Sequence, residues 1–214
     1  MSAALWPHVL TLPRPSGGHL VLRALRQRDR DEWEALRDDN SGWIAPWESE
    51  PPVPGRRLGF RRLVRHYDAA GRDGTMQPFV IQWGPRLVGQ MHLSGITWGA
   101  QLSGTAGYWV GQRYAGLEIA PMCLAALVDH AFTGLGLHRV EVNIRPENVA
   151  SLRVVEKLGF RNEGLRRRYL FVEGEWRDHR AFAVTTEDLE GSRMFDTWFS
   201  AASARSPGAL EKPE

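Results

Sequence analysis

The pattern of apolar and polar residues along this chain predicts seven β-strands. The clearest is Arg139–Ile144, whose even-numbered residues are apolar and whose odd-numbered residues are polar, as in a strand with one buried face. Gly84 and Pro85 favour a hairpin turn between two of the strands. The predicted strands are His19–Leu25, Pro78–Trp83, Leu87–Ile96, Thr105–Val110, Arg139–Ile144, Arg166–Val172 and Trp176–Val184.

Helical spacing of apolar residues predicts four helices between these strands. The longest, Gly116–Phe132, places its large apolar residues on one side. Arginines alternate with apolar residues in Gly55–Ala70, which is the pattern of a basic amphipathic helix. Residues 40–55 contain several prolines and are predicted to be a loop held by Trp43 and Trp47. The other two predicted helices are Arg28–Arg37 and Val149–Leu158.

The length of 214 residues and the order of these elements favour one α/β domain. We expect the Pro- and Gly-rich residues 1–18 to be an N-terminal extension on the surface and residues 19–189 to be the domain. Residues 190–214 are expected to be a C-terminal extension that is disordered from about Ser200.

We expect a protein of the cytoplasm. There are 27 basic and 25 acidic residues, and the formal net charge of +2 is too small to indicate a nucleic-acid partner by itself. No apolar stretch reaches the roughly 18 residues of a membrane span, and residues 1–15 lack the order of a secretion signal. The single cysteine, Cys123, lies in an apolar helical stretch, which is typical of a buried, unreactive thiol.

The loop before the longest predicted helix is a candidate anion-binding site. It reads Arg113-Tyr114-Ala115-Gly116-Leu117-Glu118. Gly116 lets the backbone approach a ligand closely, and the first N–H groups of a helix have no partner within it. A pyrophosphate group would fit this position, although an ordinary strand-to-helix turn has the same local features.

A second candidate is the turn Arg145–Ser151. Asn148 is a typical N-cap residue, and Ser151 falls in the first turn of the helix that follows. The two residues either cap the helix only, or bind an amide-containing arm of a ligand and place a hydroxyl beside a leaving group.

Four motifs follow one another along the chain: Gly107-Tyr108-Trp109-Val110; Arg113 with Gly116; Asn148 with Ser151, followed by Lys157-Leu158-Gly159-Phe160; and Glu163-Gly164-Leu165-Arg166. In this order they resemble the GNAT superfamily of acyl-CoA-dependent N-acetyltransferases, in particular its RimJ/RimL-type branch. The resemblance covers about residues 19–189. It implies the GNAT fold: a mixed, curved sheet of six or seven strands, splayed between Thr105–Val110 and Arg139–Ile144, with helices on both faces.

The resemblance also implies acetyl-CoA as co-substrate, no metal, and a role for each matching residue. The backbone of Tyr108, Trp109 and Val110 would pair with the pantetheine arm, and one of these amides would polarise the thioester carbonyl. Asn148 would hydrogen-bond the pantetheine, and Ser151 would protonate the leaving thiolate. The residues expected around the pyrophosphate are Arg113, Ala115, Gly116, Leu117, Glu118, Ile119 and Ala120.

The amine acceptor would attack the acetyl carbon directly, without a covalent enzyme intermediate, and a base must take its proton. The chain has no acidic residue between Arg166 and Leu170, where the family's glutamate would be sought. Glu141, on the polar face of its strand, is our candidate catalytic base; the alternative is an exposed or salt-bridged glutamate without a catalytic role. His92 and His138 are further candidates.

Glu118 departs from the family pattern, which has Gly or Ala at this position. A carboxylate at the start of a helix occupies the place of a phosphate. At about 5 Å and an effective dielectric constant of about 20, it would repel a unit negative charge by about 3 kcal/mol. We therefore expect weakened cofactor binding, not its loss.

The expected function is acetyl transfer to an amine, and the resemblance favours a protein N-terminal amino group of the ribosomal-protein type. A small-molecule amine acetyltransferase, a non-catalytic acyl-CoA-binding or partner-binding protein, and an oligomerisation scaffold are the alternatives. We expect a monomer or a homodimer.

Two groups of surface residues bear on the partners. The arginine clusters Arg56–Arg65 and Arg166–Arg168 could contact ribosomal RNA or the 3′-phosphate of the cofactor, or simply face solvent. Candidates for lining the acceptor groove are the tryptophans Trp43, Trp47, Trp98 and Trp176.

Overall fold

Eight strands form one mixed sheet in the order β1-β2-β3-β4-β5-β6-β8-β7. The computed structural model describes residues 6–53, 55 and 58–205. Neighbouring strands are antiparallel except for β5 and β6, which are parallel. The strands are β1 (Leu10–Pro13), β2 (His19–Ala24), β3 (Gln77–Trp83), β4 (Arg86–Thr97), β5 (Ser103–Val110), β6 (Arg139–Ile144), β7 (Arg161–Val172) and β8 (Glu175–Thr185).

The parallel pair β5 and β6 separates half-way along its length. The strands pair from Ser103 opposite Arg139 to Ala106 opposite Val142, and the pairing ends there. Residues 107–110 of β5 continue to pair with β4 on the other side. The sheet therefore opens at the carboxyl ends of β5 and β6, which confirms the predicted splay.

Helices cover both faces of the sheet. The α4 face carries α4, α5 and α6, which pack with the alternate residues Val140, Val142 and Ile144 of β6 in the larger apolar cluster. The α1 face carries α1 and α3, whose apolar residues form a second cluster. The helices are α1 (Arg30–Asp39), α2 (Ser41–Ile44), α3 (Phe60–Arg72), α4 (Ile119–Asp129), α5 (Val149–Lys157) and α6 (Met194–Arg205), and a π-helical turn, His130–Gly134, extends α4.

The structure corrects three of the predictions. The sheet has eight strands instead of six or seven, because the four residues of β1, too short to show a pattern, pair with β2. Residues 40–55 are not simply a loop, since they contain α2 and a 3-10 turn, Ala45–Trp47. Residues 200–205 are helical, because the buried Asp129 carboxylate accepts hydrogen bonds from the backbone N–H groups at the start of α6.

Other boundaries differ by a few residues. The helix predicted from Gly116 begins at Ile119, and the basic helix predicted from Gly55 begins at Phe60. Arg56, Arg57 and residues 206–214 lie outside the described residues. Within the described part of the chain, none of the helices has the length and apolar character needed to cross a membrane.

A buried histidine, His130, packs against the half-buried His8. The ring of His130, only 8% exposed, lies 4.6 Å from that of His8, and its Nε2 has no hydrogen-bond partner among the described residues. Burial, and then the charge of His8, lower the pKa of His130 to about 4.

We predict that the protein loses stability as the pH falls from about 6.5 towards 4. In this window the unfolded chain, with a histidine pKa of about 6.5, takes up a proton that the folded chain does not, so protonation favours unfolding. The cost at pH 5 should be about 2 kcal/mol for this group. Urea unfolding at pH 7 and pH 5 measures it, and His130→Phe should reduce the difference between the two pH values by about this amount, leaving the part contributed by other groups such as His92. An equal pH dependence in the variant would contradict the assignment.

Candidate active site

The loop between β5 and α4 presents backbone N–H groups at the open end of the sheet. Gly116 has a φ of +80°, a conformation that favours glycine. The first turn of α4 leaves the N–H groups of Ile119 and Ala120 without an intrahelical acceptor. Asn40 Oδ1 accepts a hydrogen bond of 2.7 Å from the Gln112 N–H and fixes the loop to the end of α1. This arrangement can hold an anion, and binding of the pyrophosphate here stays a prediction.

Glu118 is the N-cap residue of α4 and has a left-handed backbone, with φ of +59°. Its Oε1 forms an ion pair with Nζ of Lys157 at the end of α5, and Oε2 is buried without a hydrogen-bond partner in the described structure. The expected repulsion of a phosphate assumes that this carboxylate is an unpaired anion. Lys157 neutralises it, and the pairing ties together two helices that flank the opening.

Asn148 and Ser151 meet at the start of α5, beside Tyr108. Asn148 Oδ1 accepts a hydrogen bond of 3.0 Å from the Ser151 N–H, which confirms the predicted N-cap. The Tyr108 hydroxyl is buried close to Ser151, and burial raises its pKa to about 12, against a smaller opposite effect of Ser151. Two neutral hydroxyl groups therefore lie together on the α4 face of the opening.

A segment that we call the strap, residues 40–50, crosses the α1 face of the opening. Trp43 Nε1 donates a 3.1 Å hydrogen bond to the Val110 carbonyl oxygen at the end of β5. Arg145 Nη1 donates to the Pro46 carbonyl oxygen at 2.7 Å, and the Glu50 N–H donates to the Phe171 carbonyl oxygen of β7 at 2.9 Å. The strap thus spans from β5 to β7, and the Val110 carbonyl already has a donor.

The site consists of three parts: the splayed parallel pair of β5 and β6, the start of α4 with its free N–H groups, and α5, which is capped by Asn148. Residues 19–161 match the family model described as an acetyltransferase (GNAT) domain. The chain belongs to the GNAT acetyltransferase family. Its enzyme class is that of an N-acetyltransferase that uses acetyl-CoA, as predicted.

Relatives of this GNAT chain match it over most of its length. A probable N-acetyltransferase, YjcK of Bacillus subtilis, is 37% identical over 180 residues, covering 81% of this chain and 98% of the relative. The [ribosomal protein uS5]-alanine N-acetyltransferase of Escherichia coli is 28% identical and covers 75% of this chain and 77% of the relative. Mycobacterium smegmatis RimJ in complex with CoA-disulfide superposes with a TM-score of 0.83 at 36% identity, covering 92% of this chain and 96% of that one.

The residues of this GNAT site fit acetyl-CoA. Free N–H groups at the start of α4 suit a pyrophosphate, and the buried Tyr108 hydroxyl has no hydrogen bond of good geometry to any described residue. Among the described residues, no cluster of three or more His, Cys, Asp or Glu side chains could hold a metal ion.

Glu141, the candidate base, is held by arginines. Its Oε1 accepts a hydrogen bond of 3.0 Å from Arg139 Nε, and its Oε2 accepts one of 2.8 Å from Arg166 Nη2. Glu141 also lies opposite Thr105, where β5 and β6 still pair, and not in the opening. Arg166 is part of this network and also donates to the Tyr169 hydroxyl at 3.1 Å.

The two histidine candidates differ in position. His138 precedes β6, at the closed end of the β5–β6 pair, and contacts Glu187 at 2.9 Å. His92 lies on the α1 face of β4, opposite Gly107. Burial lowers the pKa of His92 to about 4, against the opposite effect of Glu48 in the strap, so its imidazole is neutral at pH 7.

The four candidate tryptophans do not share one groove. Trp43 and Trp47 lie in the strap and are partly exposed, and Trp176 is exposed in the β7–β8 hairpin. Trp98 follows β4, which ends opposite the beginning of β5, and its Nε1 donates to the Gly74 carbonyl oxygen at 3.0 Å. Trp98 is thus at the wrong end of β5 to line the acceptor groove.

Proposed function

We propose that this GNAT enzyme acetylates the α-amino group of a protein N-terminus, as expected for a ribosomal-protein type of acceptor. The observation that carries the proposal is the similarity to M. smegmatis RimJ along 92% of the chain. The similarity to the E. coli enzyme named for the alanine of ribosomal protein uS5 supports it.

The cofactor side of the proposed site uses groups on the α4 face. Acetyl-CoA supplies an activated acetyl group when bound. The N–H groups of Ala115–Ala120 would receive its pyrophosphate, and Asn148 and the backbone of Tyr108–Val110 would orient the pantetheine. Ser151, supported by the neighbouring Tyr108 hydroxyl, would donate a proton to the departing sulfur.

The acceptor side would lie under the strap, on the α1 face. Exposed aromatic side chains surround this approach, with Trp47 in the strap and Tyr169 and Trp176 in the β7–β8 hairpin. Such rings offer stacking and apolar contact to an extended peptide without dictating one sequence. Arginines of β7 would favour an acidic partner, including a ribosomal surface, and such binding should weaken steeply with salt.

A panel of acceptors tests the proposal. Purified protein and acetyl-CoA are incubated with peptides that begin with alanine or serine, with the same peptides already N-acetylated, and with spermidine, and the products are analysed by mass spectrometry. Acetylation of free N-termini alone is the expected result. Acetylation of spermidine alone would replace the proposal with a small-molecule acceptor, and acetyl-CoA binding without any turnover would favour a non-catalytic role.

A further inference from the structure

Three residues on three adjacent strands form one row at the point where the sheet opens. His92 of β4 pairs with Gly107 of β5, and Gly107 comes directly after Ala106, the last residue that pairs with β6. The register places Asn143 of β6 next to Gly107, since Ala106 is opposite Val142. The row His92–Gly107–Asn143 is therefore the first one in which β5 and β6 are no longer hydrogen-bonded.

The two side chains of this row point to the same face. Val142 and Ile144, the neighbours of Asn143, are buried on the α4 face, so Asn143 points to the α1 face. Met91 and Leu93 are buried on the α4 face in the same way, which turns His92 to the α1 face. Gln90, two residues before His92, confirms this direction, because its Nε2 donates to the Tyr67 hydroxyl of α3 at 2.9 Å.

Glycine at position 107 leaves the space between these side chains open. A Cβ atom added to Gly107 would lie 2.5 Å from His92 Nε2, so the imidazole reaches over the backbone of β5 at this point. Gly107 directly precedes Tyr108, the first residue of the stretch proposed to pair with the pantetheine. A reacting carbonyl held by that stretch would thus lie beside the row.

Asn143 has an amide group that the folded chain does not use. Both Oδ1 and Nδ2 are buried and have no hydrogen-bond partner among the described residues. Burying an unpaired amide is unfavourable, and such groups in native proteins call for an explanation, among them a catalytic role. The position of this one, at the edge of the opening, points to a ligand.

We propose that Asn143 and His92 form the seat of the acceptor amine, in which Asn143 Oδ1 accepts a hydrogen bond from the attacking nitrogen and His92 Nε2 takes its proton. As the nitrogen bonds to the acetyl carbon, the carbon–sulfur bond breaks. The amine, bound as the neutral base, loses one proton to His92, and the sulfur leaves with one proton from the Ser151 hydroxyl, which regains a proton from solvent. His92 then releases its proton to solvent past Glu48, whose Oε2 is held 2.6 Å from Arg37 Nη2.

This assignment gives His92 the role that the sequence analysis gives to Glu141. Glu141 is two rows further into the paired region and has two arginine partners, whereas His92 faces the opening. A neutral imidazole with its proton on Nδ1 offers a free acceptor at Nε2. The inference requires only the acetyl transfer of the GNAT family, and any amine that the wild type acetylates serves for its test.

The decisive variant is Asn143→Leu, measured for both turnover and stability. We expect kcat/KM for the amine to fall about tenfold, the value of one lost hydrogen bond to a reacting group. The thermal unfolding midpoint should stay equal or rise, because an unpaired buried amide is replaced by an apolar side chain of similar size. Wild-type kcat/KM would overturn the proposal. A midpoint lower by several degrees would overturn it too, since it would show that the Asn143 amide has a hydrogen-bond partner within the folded protein. This measurement is made without any amine acceptor.

A double-mutant cycle tests His92 independently. His92→Ala should lower kcat about tenfold, less than usual for a catalytic base because its basicity is low, and His66→Ala, an exposed histidine on α3, should leave it unchanged. Gly107→Ala should cause a similar loss by displacing the ring, and adding it to His92→Ala should cause no further loss. Additive losses would overturn the proposal. If the wild-type protein acetylates small amines but no peptide N-terminus, only the proposed N-terminal acceptor is overturned, and the proposal for His92 and Asn143 is unaffected.

Discussion

Replacing Ser151 with alanine should lower kcat about 100-fold, at the lower end of the range for general acid catalysis. A thiolate is the leaving group, and we propose that the Ser151 hydroxyl, beside Tyr108 on the α4 face, protonates it. The helix should survive the change, because Asn148 caps the backbone N–H of residue 151 and not its side chain. Acetyl-CoA affinity, measured by calorimetry, should remain within about threefold of wild type, since the hydroxyl is needed only in the transition state.

Two comparisons make this prediction specific. Tyr108→Phe removes the neighbouring hydroxyl and should reduce kcat by less, because Tyr108 would act through Ser151. An acetyl thioester with a more acidic thiol should be much less sensitive to Ser151→Ala, since its sulfur leaves readily without a proton. If Ser151→Ala lowered kcat equally with acetyl-CoA and with the thioester of the more acidic thiol, Ser151 would not be the proton donor.

Features that depend on neighbouring residues could be predicted from the sequence. The N-cap of Asn148 and the loop around Gly116 follow from short stretches of chain, whose conformations are set by local hydrogen bonds and by the freedom of glycine. The alternation in Arg139–Ile144 likewise gave the strand and its buried face.

Three features that depend on distant residues could not be predicted from local patterns. Lys157 and Glu118 are 39 residues apart, and no periodicity links the two. The row of His92, Gly107 and Asn143 requires the register of three strands, which packing decides. The strap is similar, because its hydrogen bonds to β5, Arg145 and β7 exist only in the folded sheet.

Replacing Lys157 with alanine should weaken acetyl-CoA binding about 30-fold. The change removes a cation and leaves the Glu118 carboxylate uncompensated beside the N-terminus of α4, where a repulsion of about 3 kcal/mol before screening is expected towards a phosphate. Glu118→Gln alone should change the affinity by no more than about threefold, because the wild-type carboxylate is already neutralised by Lys157.

The double variant separates the two explanations for such a loss. If Lys157 acts by neutralising Glu118, adding Glu118→Gln to Lys157→Ala should restore binding to within about threefold of wild type. If the double variant binds as weakly as Lys157→Ala, the lysine contacts the cofactor itself, and the neutralisation argument is wrong. Calorimetry at low and at moderate salt measures both, and the loss in Lys157→Ala should shrink as salt screens the carboxylate.

Glu118→Gly adds a readout that Glu118→Gln lacks. Both remove the charge, but only glycine also relieves the left-handed backbone at this residue, with φ of +59°. A non-glycine residue in this region costs about 1–2 kcal/mol, so Glu118→Gly should raise the free energy of unfolding by about 1 kcal/mol relative to Glu118→Gln. Equal acetyl-CoA affinities in the two variants would assign the effect of residue 118 on binding to charge. Tighter binding by the glycine variant alone would assign it to the backbone, whose N–H groups would then turn more freely towards the phosphate.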